Sequence, residues 1–103
     1  MPIESFEKLT SSTFQSWIAE HTGVVIFHKK LCPHCKIMGT VLDKVNAKMP
    51  LDIASVDAEE DPELRAKVGA ERVPTLCAVK NGAIRATFTG IMNPNETMKW
   101  LRQ

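Results

Sequence analysis

The sequence has almost no net charge. Thirteen lysine and arginine residues stand against twelve aspartate and glutamate residues, which leaves a formal net charge of +1. Charges of both signs are spread along the chain, so the sequence predicts no basic surface for a nucleic-acid backbone or an anionic membrane. We expect its partners to be proteins or small molecules, with no nucleic acid and no membrane among them.

Long apolar runs are also missing. No segment approaches the roughly 20 apolar residues of a membrane-spanning helix, and the start, MPIESFEKL, lacks the basic residues and apolar centre of a signal peptide. These absences predict a cytoplasmic protein. Repeats, linkers and low-complexity segments are absent as well, so the sequence predicts one domain, residues 1–103, which we expect to be a monomer.

Cysteine is scarce, and its number is odd. With three cysteines, one stays unpaired in any scheme, which does not resemble the even-numbered framework of a disulfide-stapled secreted domain. Two of the three, Cys32 and Cys35, nevertheless lie close together in FHKKLCPHCKIM. The pair could bind a metal, brace the fold or carry electrons.

The surroundings of the pair predict a β-α-β unit. The run VVIF before it is unbroken, apolar and β-branched, which is typical of a strand buried on both faces in a parallel sheet. LDIASVD predicts the next strand. Between them, from Pro33 onward, apolar residues recur at helical spacing, namely Ile37, Met38, Val41, Leu42, Val45 and Met49. The cysteines are therefore expected between the carboxyl end of a strand and the amino terminus of a helix.

Local signals predict the remaining elements. Cap-forming side chains at 11–13 begin a first helix that Gly23 is expected to end, and Asp61 with Pro62 begins a short helix ending near Gly69. Asn81-Gly82 between two strand-like runs predicts a tight antiparallel hairpin. NPNETMKWLRQ predicts a capped final helix. Together these elements predict an α/β fold, a central mixed β-sheet flanked by helices on both faces.

A cysteine at a helix amino terminus is a better nucleophile than an ordinary one. The thiolate is the reactive form, and the unpaired N–H groups of the first turn stabilise that anion. Cys32 takes this place, and Pro33 suits the first turn because its missing N–H is not needed there. Cys35, one turn further on, is expected to be more buried. This predicts two-step exchange, in which Cys32 attacks a disulfide and Cys35 resolves the mixed disulfide.

Metal binding and structural bracing are the two other roles that a cysteine pair can have. A zinc site needs about four ligands, and only His28, His34 and Cys77 remain as candidates, so we expect no metal. A structural disulfide closing so short a loop would constrain the unfolded chain little and would not persist in a reducing cytosol. Cys77 itself is expected to be a small buried hydrophobe, with a second exchanging thiol as the alternative.

Nearly the whole chain, from about Ser12 to Leu101, resembles thioredoxin. The resemblance rests on CPHCK at the cysteine pair, VPT at 73–75, KNG in the predicted hairpin and FTGI around Gly90. It implies a single-domain thioredoxin fold and the activity of a thiol-disulfide oxidoreductase. It also implies a redox-active disulfide with no other cofactor, protein substrates carrying disulfides or dithiols, and an electron donor of the thioredoxin-reductase type.

The resemblance assigns a substrate-binding surface as well. In the family, the proline at the position of Pro74 is cis and faces the disulfide, where its neighbours pair with an extended substrate segment. Val73, Pro74 and Thr75 are therefore expected to bind substrate, and Gly90 is expected to leave room for it. Leu31, where the family usually has a tryptophan, is expected to contact substrate too.

The sequence departs from the family pattern beneath the predicted site. Ile26 stands where thioredoxins usually carry a buried aspartate, which is thought to take the proton of the buried cysteine. His28 stands where they usually carry a tryptophan beside the motif. It is a candidate proton relay, because histidine titrates near neutrality, or it simply ends the strand with a hydrogen bond. The helix-kinking proline that the family has after the motif is missing, and Gly39 and Thr40 stand in that region. Gly39 weakens the helix there by about 1 kcal/mol relative to alanine, and we expect it to replace the kink.

His34 bears on whether the chain reduces or oxidises its substrates. The resemblance extends here to the periplasmic disulfide oxidase, whose motif is Cys-Pro-His-Cys, although this chain has no room for the helical domain inserted in that protein. A protonated imidazole beside Cys32 would stabilise the thiolate and raise the reduction potential, between about −270 mV for thioredoxin and about −120 mV for the oxidase. We expect a reductase of raised potential. A disulfide oxidase or isomerase and a non-catalytic binding module are the alternatives.

Overall fold

A five-stranded sheet organises the fold. A computed structural model describes residues 2–103. Its elements are α1 (Pro2–Ser5), β1 (Glu7–Lys8), α2 (Phe14–Glu20), β2 (Gly23–His28), α3 (Pro33–Lys48), β3 (Asp52–Asp57), α4 (Pro62–Val68), β4 (Thr75–Lys80), β5 (Ala83–Thr89) and α5 (Pro94–Leu101). Within this part of the chain, no helix has the length and apolar character needed to cross a bilayer.

The sheet is mixed. Its strands lie in the order β1-β3-β2-β4-β5. β1 and β2 both run parallel to β3, whereas β4 runs antiparallel to β2 and to β5. The two cysteine-flanking strands predicted from VVIF and LDIASVD are thus parallel neighbours, β2 and β3, joined by α3.

Helices cover both faces because side chains alternate along each strand. Val25 and Phe27 of β2 face one apolar cluster, to which α2 and α4 contribute Phe14, Trp17, Ile18 and Leu64. Val24 and Ile26 face the other cluster, to which α3 and α5 contribute Met38, Val41, Leu42, Val45 and Met98. The predicted α/β architecture, a central mixed sheet with helices on both faces, is confirmed.

Local signals set several element boundaries as predicted. The Asp61 side chain accepts a hydrogen bond from the N–H of Leu64 at 3.1 Å and caps α4, which ends at Gly69 in the left-handed conformation, φ 82°. In the turn joining β4 and β5, Asn81 and Gly82 have φ of 55° and 79°, the conformation that an Asn-Gly hairpin requires. The helix predicted in NPNETMKWLRQ is α5.

The expectation for Gly23 is wrong. α2 ends at Glu20, and Gly23 begins β2, where a Cβ would collide with the backbone of Asp52 on β3. Glycine is needed there for the close approach of two strands, not for ending a helix. α1 and β1, which precede α2, were not predicted, because elements of four and two residues carry no periodic pattern.

Candidate functional site

The cysteine pair lies where β2 gives way to α3. Cys32 is the N-cap residue of α3, and its Sγ accepts a hydrogen bond from the N–H of Cys35 at 3.2 Å. The two residues form a disulfide with their Cα atoms 5.2 Å apart. Cys32 is 7% exposed and Cys35 is 1% exposed, so Cys35 is the more buried of the two, as predicted.

The residues that flank Cys32 are exposed, although Cys32 itself is largely buried. Pro33 takes the first position of α3 and His34 lies exposed in the first turn. Leu31, immediately before Cys32, is 92% exposed and has a φ of 56°. A leucine in this left-handed region carries backbone strain, which functional sites often retain.

The Val73-Pro74 segment meets the same edge of the sheet. Phe27 near the carboxyl end of β2 pairs with Thr75 at the start of the antiparallel β4, which brings the segment before Thr75 to the edge where the cysteine loop begins. The Val73-Pro74 peptide is cis, as the resemblance implies. The carbonyl oxygen of Pro74 accepts a hydrogen bond from the N–H of Gly90 at 3.0 Å, and this bond fixes Gly90 beside the cis-proline.

The side chain of Thr75 links the turn that precedes it to β5. Its Oγ1 donates to the carbonyl oxygen of Arg72 at 2.5 Å and lies 2.9 Å from the hydroxyl of Thr89 on β5. Thr75 is buried, so these bonds hold the cis-proline turn instead of meeting solvent. Sequence reasoning missed Thr89, although its place in the strand opposite Thr75 follows from the hairpin register.

Large apolar side chains are exposed at three places in residues 2–103. They are Leu31 before Cys32, Ile37 in α3 and Ile91 after Gly90. Ile37 was predicted in the buried stripe of α3, but it is 46% exposed. Cys35 and Met38 form the buried face in this part of the helix, and at 100° per residue Ile37 lies on a different side. The exposed apolar residues are thus close in sequence to the disulfide and to Gly90.

His28 lies beneath the disulfide at the end of β2. It is half-buried and shares with Cys35 the wall of a cavity of about 470 Å³. Burial lowers the pKa of His28 below its ordinary value, while the charge of Asp57 opposes this shift. Sequence reasoning missed Asp57, which is buried in the same wall. Its signal was that both predicted parallel strands end in a titratable residue.

Cys77 is kept apart from the exchanging pair. It lies in β4 within the apolar cluster that α2 and α4 cover, on the face of the sheet away from α3, and it is fully buried. Burial raises the pKa of its thiol to about 12, so the predicted role of a buried hydrophobe is confirmed. In the described residues, no group of three or more histidine, cysteine or acidic side chains is arranged to hold a metal ion.

Curated relatives of the chain are thioredoxins. Residues 5–103 match the family model Thioredoxin. The mitochondrial thioredoxin of Bos taurus is 35% identical over 87 residues, which cover 82% of this chain and 52% of that protein, so the chain spans about half the length of this relative. The thioredoxin of Bacillus subtilis (strain 168) is 33% identical over 98 residues, which cover 90% of this chain and 93% of that protein.

Solved structures share the fold. Reduced desulfothioredoxin from Desulfovibrio vulgaris Hildenborough, solved in solution, has a TM-score of 0.79 at 42% identity, covering 92% of this chain and 93% of that one. Oxidised mitochondrial thioredoxin 3 from Saccharomyces cerevisiae has a TM-score of 0.86 at 25% identity, covering 99% and 98%. With a family model matched over nearly its whole length and a Cys-x-x-Cys disulfide at a helix amino terminus, the chain belongs to the thioredoxin family.

Proposed function

We propose that the chain is a thiol-disulfide oxidoreductase that exchanges dithiols and disulfides with protein substrates. The observation that carries the proposal is the Cys32–Cys35 disulfide at the amino terminus of α3, where Cys32 Sγ accepts the N–H of Cys35. This hydrogen bond and the helix dipole favour the thiolate of Cys32 over the thiol. The family of the chain and the names of its relatives support the same activity.

The reaction proceeds in two exchanges. In the reduced chain, the Cys32 thiolate attacks one sulfur of a substrate disulfide, whose other sulfur leaves as a thiolate and takes up a proton. Cys35 then loses its proton and attacks Cys32 Sγ, which closes the intrachain disulfide and releases the second substrate sulfur. Two electrons pass from the chain to the substrate, and the reverse sequence oxidises a substrate dithiol. Cys32 attacks because it is the more exposed sulfur.

The substrate lies along the cis-proline edge. Val73 and Pro74 lead into β4, which begins at Thr75, and Gly90 adds no side chain beside the cis-proline. Leu31 offers an exposed apolar contact next to Cys32. A substrate segment pairing with this edge is recognised through its main chain, which suits a protein that acts on many disulfides.

His28 accepts the proton of Cys35 during resolution. The family's usual aspartate position is filled by Ile26, which is fully buried and cannot take a proton. His28 and Cys35 line one cavity, and the lowered pKa of His28 leaves its imidazole neutral and able to accept at neutral pH.

His34 favours a second candidate function, dithiol oxidation or disulfide isomerisation. It lies exposed in the first turn of α3, two residues after the N-cap residue Cys32. An imidazolium at this position stabilises the thiolate, and stabilising the reduced form makes the disulfide more oxidising. A reductase would still need a donor of electrons, for which a thioredoxin-reductase-type enzyme is the proposed partner. The two sulfurs carry the electrons, so the reaction requires no resident cofactor.

Two measurements test the proposal: the reduction potential of the Cys32–Cys35 pair, and the direction in which the chain exchanges electrons with protein substrates. The fraction of Cys32–Cys35 disulfide is determined by alkylation and mass across a series of glutathione buffers, in a Cys77→Ala background that leaves only the exchanging pair. His34→Pro is expected to lower the potential, and an unchanged potential would rule out tuning by His34.

Initial rates are then compared on a disulfide-bonded protein and on a reduced, unfolded one, with Cys32→Ser as the control. If the parent chain turns over neither substrate, the oxidoreductase proposal fails.

A further inference from the structure

The cavity below the disulfide joins the resolving cysteine to a buried acid. Its wall includes Cys35 from α3, His28 from the end of β2, and Ser55 and Asp57 from β3, and Ile3 from α1 also lines it. A volume of about 470 Å³ is ample for several water molecules. A proton leaving Cys35 therefore has a space that water can occupy, with His28 and Asp57 in its wall.

His28 and Asp57 are direct neighbours across two parallel strands. They are register partners at the carboxyl ends of β2 and β3. Register partners place their side chains on the same face of a sheet, about 5 Å apart between strands. Both therefore project toward the face that α3 covers, where Cys35 lies.

Asp57 is an unusual residue to find in this wall. It is 5% exposed, and buried carboxylates are retained when they are hydrogen-bonded and paired with charge. Its Oδ1 accepts the backbone N–H groups of Glu59 at 2.9 Å and Glu60 at 3.2 Å, which fixes the carboxylate in place. These bonds both fall on Oδ1, so the capacity of Oδ2 to accept a hydrogen bond is left for the cavity.

We propose that Asp57 is a positioning residue that acts through His28, orienting the imidazole and stabilising the imidazolium that forms when Cys35 gives up its proton. The inference rests on the proposed function and deepens it. An acid that orients a base beside a nucleophile is a recurring arrangement in covalent catalysis. Here it replaces, from the neighbouring strand, the acid that the family usually has at the position of Ile26.

The proton and electron balance is complete without an added reactant. In the mixed disulfide, Cys35 Sγ–H transfers its proton to the neutral His28 imidazole, directly or through cavity water. The Cys35 thiolate then forms the bond to Cys32 Sγ as the bond from Cys32 to the substrate sulfur breaks. The substrate sulfur leaves as a thiolate, and His28 returns its proton to solvent. Asp57 neither gains nor loses a proton in these steps.

Other charges that face His28 work in both directions. Lys8 on β1 lowers the pKa of His28 and Glu60 raises it, but these two form an ion pair with each other. Four further charged residues line the cavity, namely Glu4 on α1, Lys29 and Lys30 in the loop, and Lys36 on α3. All of them are exposed, whereas Asp57 is buried, so Asp57 faces His28 with the least screening by solvent.

The experiment separates the two exchange steps. The reduced chain in the Cys77→Ala background is mixed with 5,5′-dithiobis(2-nitrobenzoate). A first release of the coloured thiolate reports attack by Cys32, and a second reports resolution by Cys35. Asp57→Asn keeps an oxygen for the two backbone N–H groups, and Ser55→Ala is a matched control in the same strand and cavity. If the first release is absent in the parent chain, the proposed function fails regardless of Asp57.

We expect Asp57→Asn to slow the second release by about tenfold at neutral pH, which is less than the roughly 10²–10⁴-fold that a general acid or base contributes, because His28 itself is kept. The first release should be unchanged, and the second should recover at high pH, where hydroxide removes the Cys35 proton. In a His28→Gln background, Asp57→Asn should change the second release by less than about twofold, because a positioning residue has nothing left to position. Equal slowing in both backgrounds, no slowing in either, or the same slowing by Ser55→Ala would overturn the proposal.

A measurement on the parent chain covers the case in which Asp57→Asn fails to fold. The imidazole resonances of His28 are followed by NMR as the pH falls. Coupling to Asp57 predicts a second inflection in these resonances as the Asp57 carboxylate takes up its proton, matched by an inflection of the Asp57 carboxyl carbon. His28 resonances that do not respond to the titration of Asp57 would overturn the proposal.

Discussion

Gly39 of α3 lies directly against Ile3 of α1. A Cβ built on Gly39 would collide with Cγ1 of Ile3. α3 runs without a break from Pro33 to Lys48, so Gly39 does not serve as a hinge in the helix. Its role is to let α1 approach closely enough for Ile3 to line the cavity below the disulfide.

Gly39→Ala should therefore have two opposed effects on the free energy of unfolding. Alanine gains about 1 kcal/mol of helix propensity, while the collision with Ile3 costs about 1–3 kcal/mol by overpacking. We expect Gly39→Ala to destabilise the parent chain and to stabilise an Ile3→Ala variant by about 1 kcal/mol. Urea unfolding of the four proteins in the cycle measures both. Equal stabilisation in the two backgrounds would show that α1 does not constrain position 39.

Much of the fold follows from local sequence. The apolar run of β2, the Asn81-Gly82 turn and the Asp61 cap each act over a few residues, and each is found where the sequence predicts it. α1 and β1 could not be predicted in this way, because so short a helix and strand exist only through their contacts with α3 and β3. The prediction for Gly23 was wrong for the same reason, because the role of Gly23 depends on the neighbouring strand β3 and not on the helix that precedes it.

The residues of the site also differ in whether local sequence or the packing of distant elements determines their position. Cys32, Pro33 and Cys35 are placed by one strand-to-helix junction, which the sequence shows directly. Asp57 and the exposure of Ile37 depend instead on which elements pack above them. The carboxyl ends of parallel neighbours share an edge, so two strands ending in titratable residues are a usable signal for such a pair.

The backbone strain at Leu31 predicts that replacing this residue will raise the stability of the fold and weaken substrate binding. Asparagine tolerates the left-handed conformation that leucine holds at a cost of about 1–2 kcal/mol. Leu31→Asn should therefore stabilise the oxidised protein by about 1 kcal/mol and raise KM for a protein substrate, because the exposed apolar contact is lost. Urea unfolding and steady-state kinetics measure the two effects.

Ile91→Asn is the matched control for Leu31. Ile91, which follows Gly90, is also exposed, but its φ is not positive. Its replacement should raise KM without a gain in stability. If Leu31→Asn lowers stability instead, the leucine side chain packs in the native state and its strain is compensated there.

We expect Cys77 to take no part in thiol-disulfide exchange. With a pKa raised to about 12, the thiolate fraction at pH 7 is about 10⁻⁵, and the surrounding cluster excludes reagents. Iodoacetamide should label reduced Cys32 in the native protein and should label Cys77 only after unfolding, as mass spectrometry of proteolytic peptides would show. Cys77→Ala should leave the exchange rate unchanged, and a slower rate in this variant would mean that the thiol takes part.

Burial of His28 should make the fold sensitive to mild acid. Burial lowers the pKa of folded His28 below the value of 6.5 that applies to the unfolded chain. Between the two pKa values the unfolded chain binds more protons than the folded one, so stability is full above pH 6.5 and is lost as the pH falls through this window.

His28→Gln should flatten the decline in stability below pH 6.5, since glutamine does not titrate. Asp57→Asn should have the opposite effect. The charge of Asp57 raises the pKa of His28 against the effect of burial, so its removal lowers that pKa further and extends the loss of stability to lower pH. Urea midpoints measured at steps of pH compare the three proteins. If His28→Gln keeps the slope of the parent chain, another group carries the acid sensitivity, and if Asp57→Asn does not steepen it, the two side chains are not electrostatically coupled.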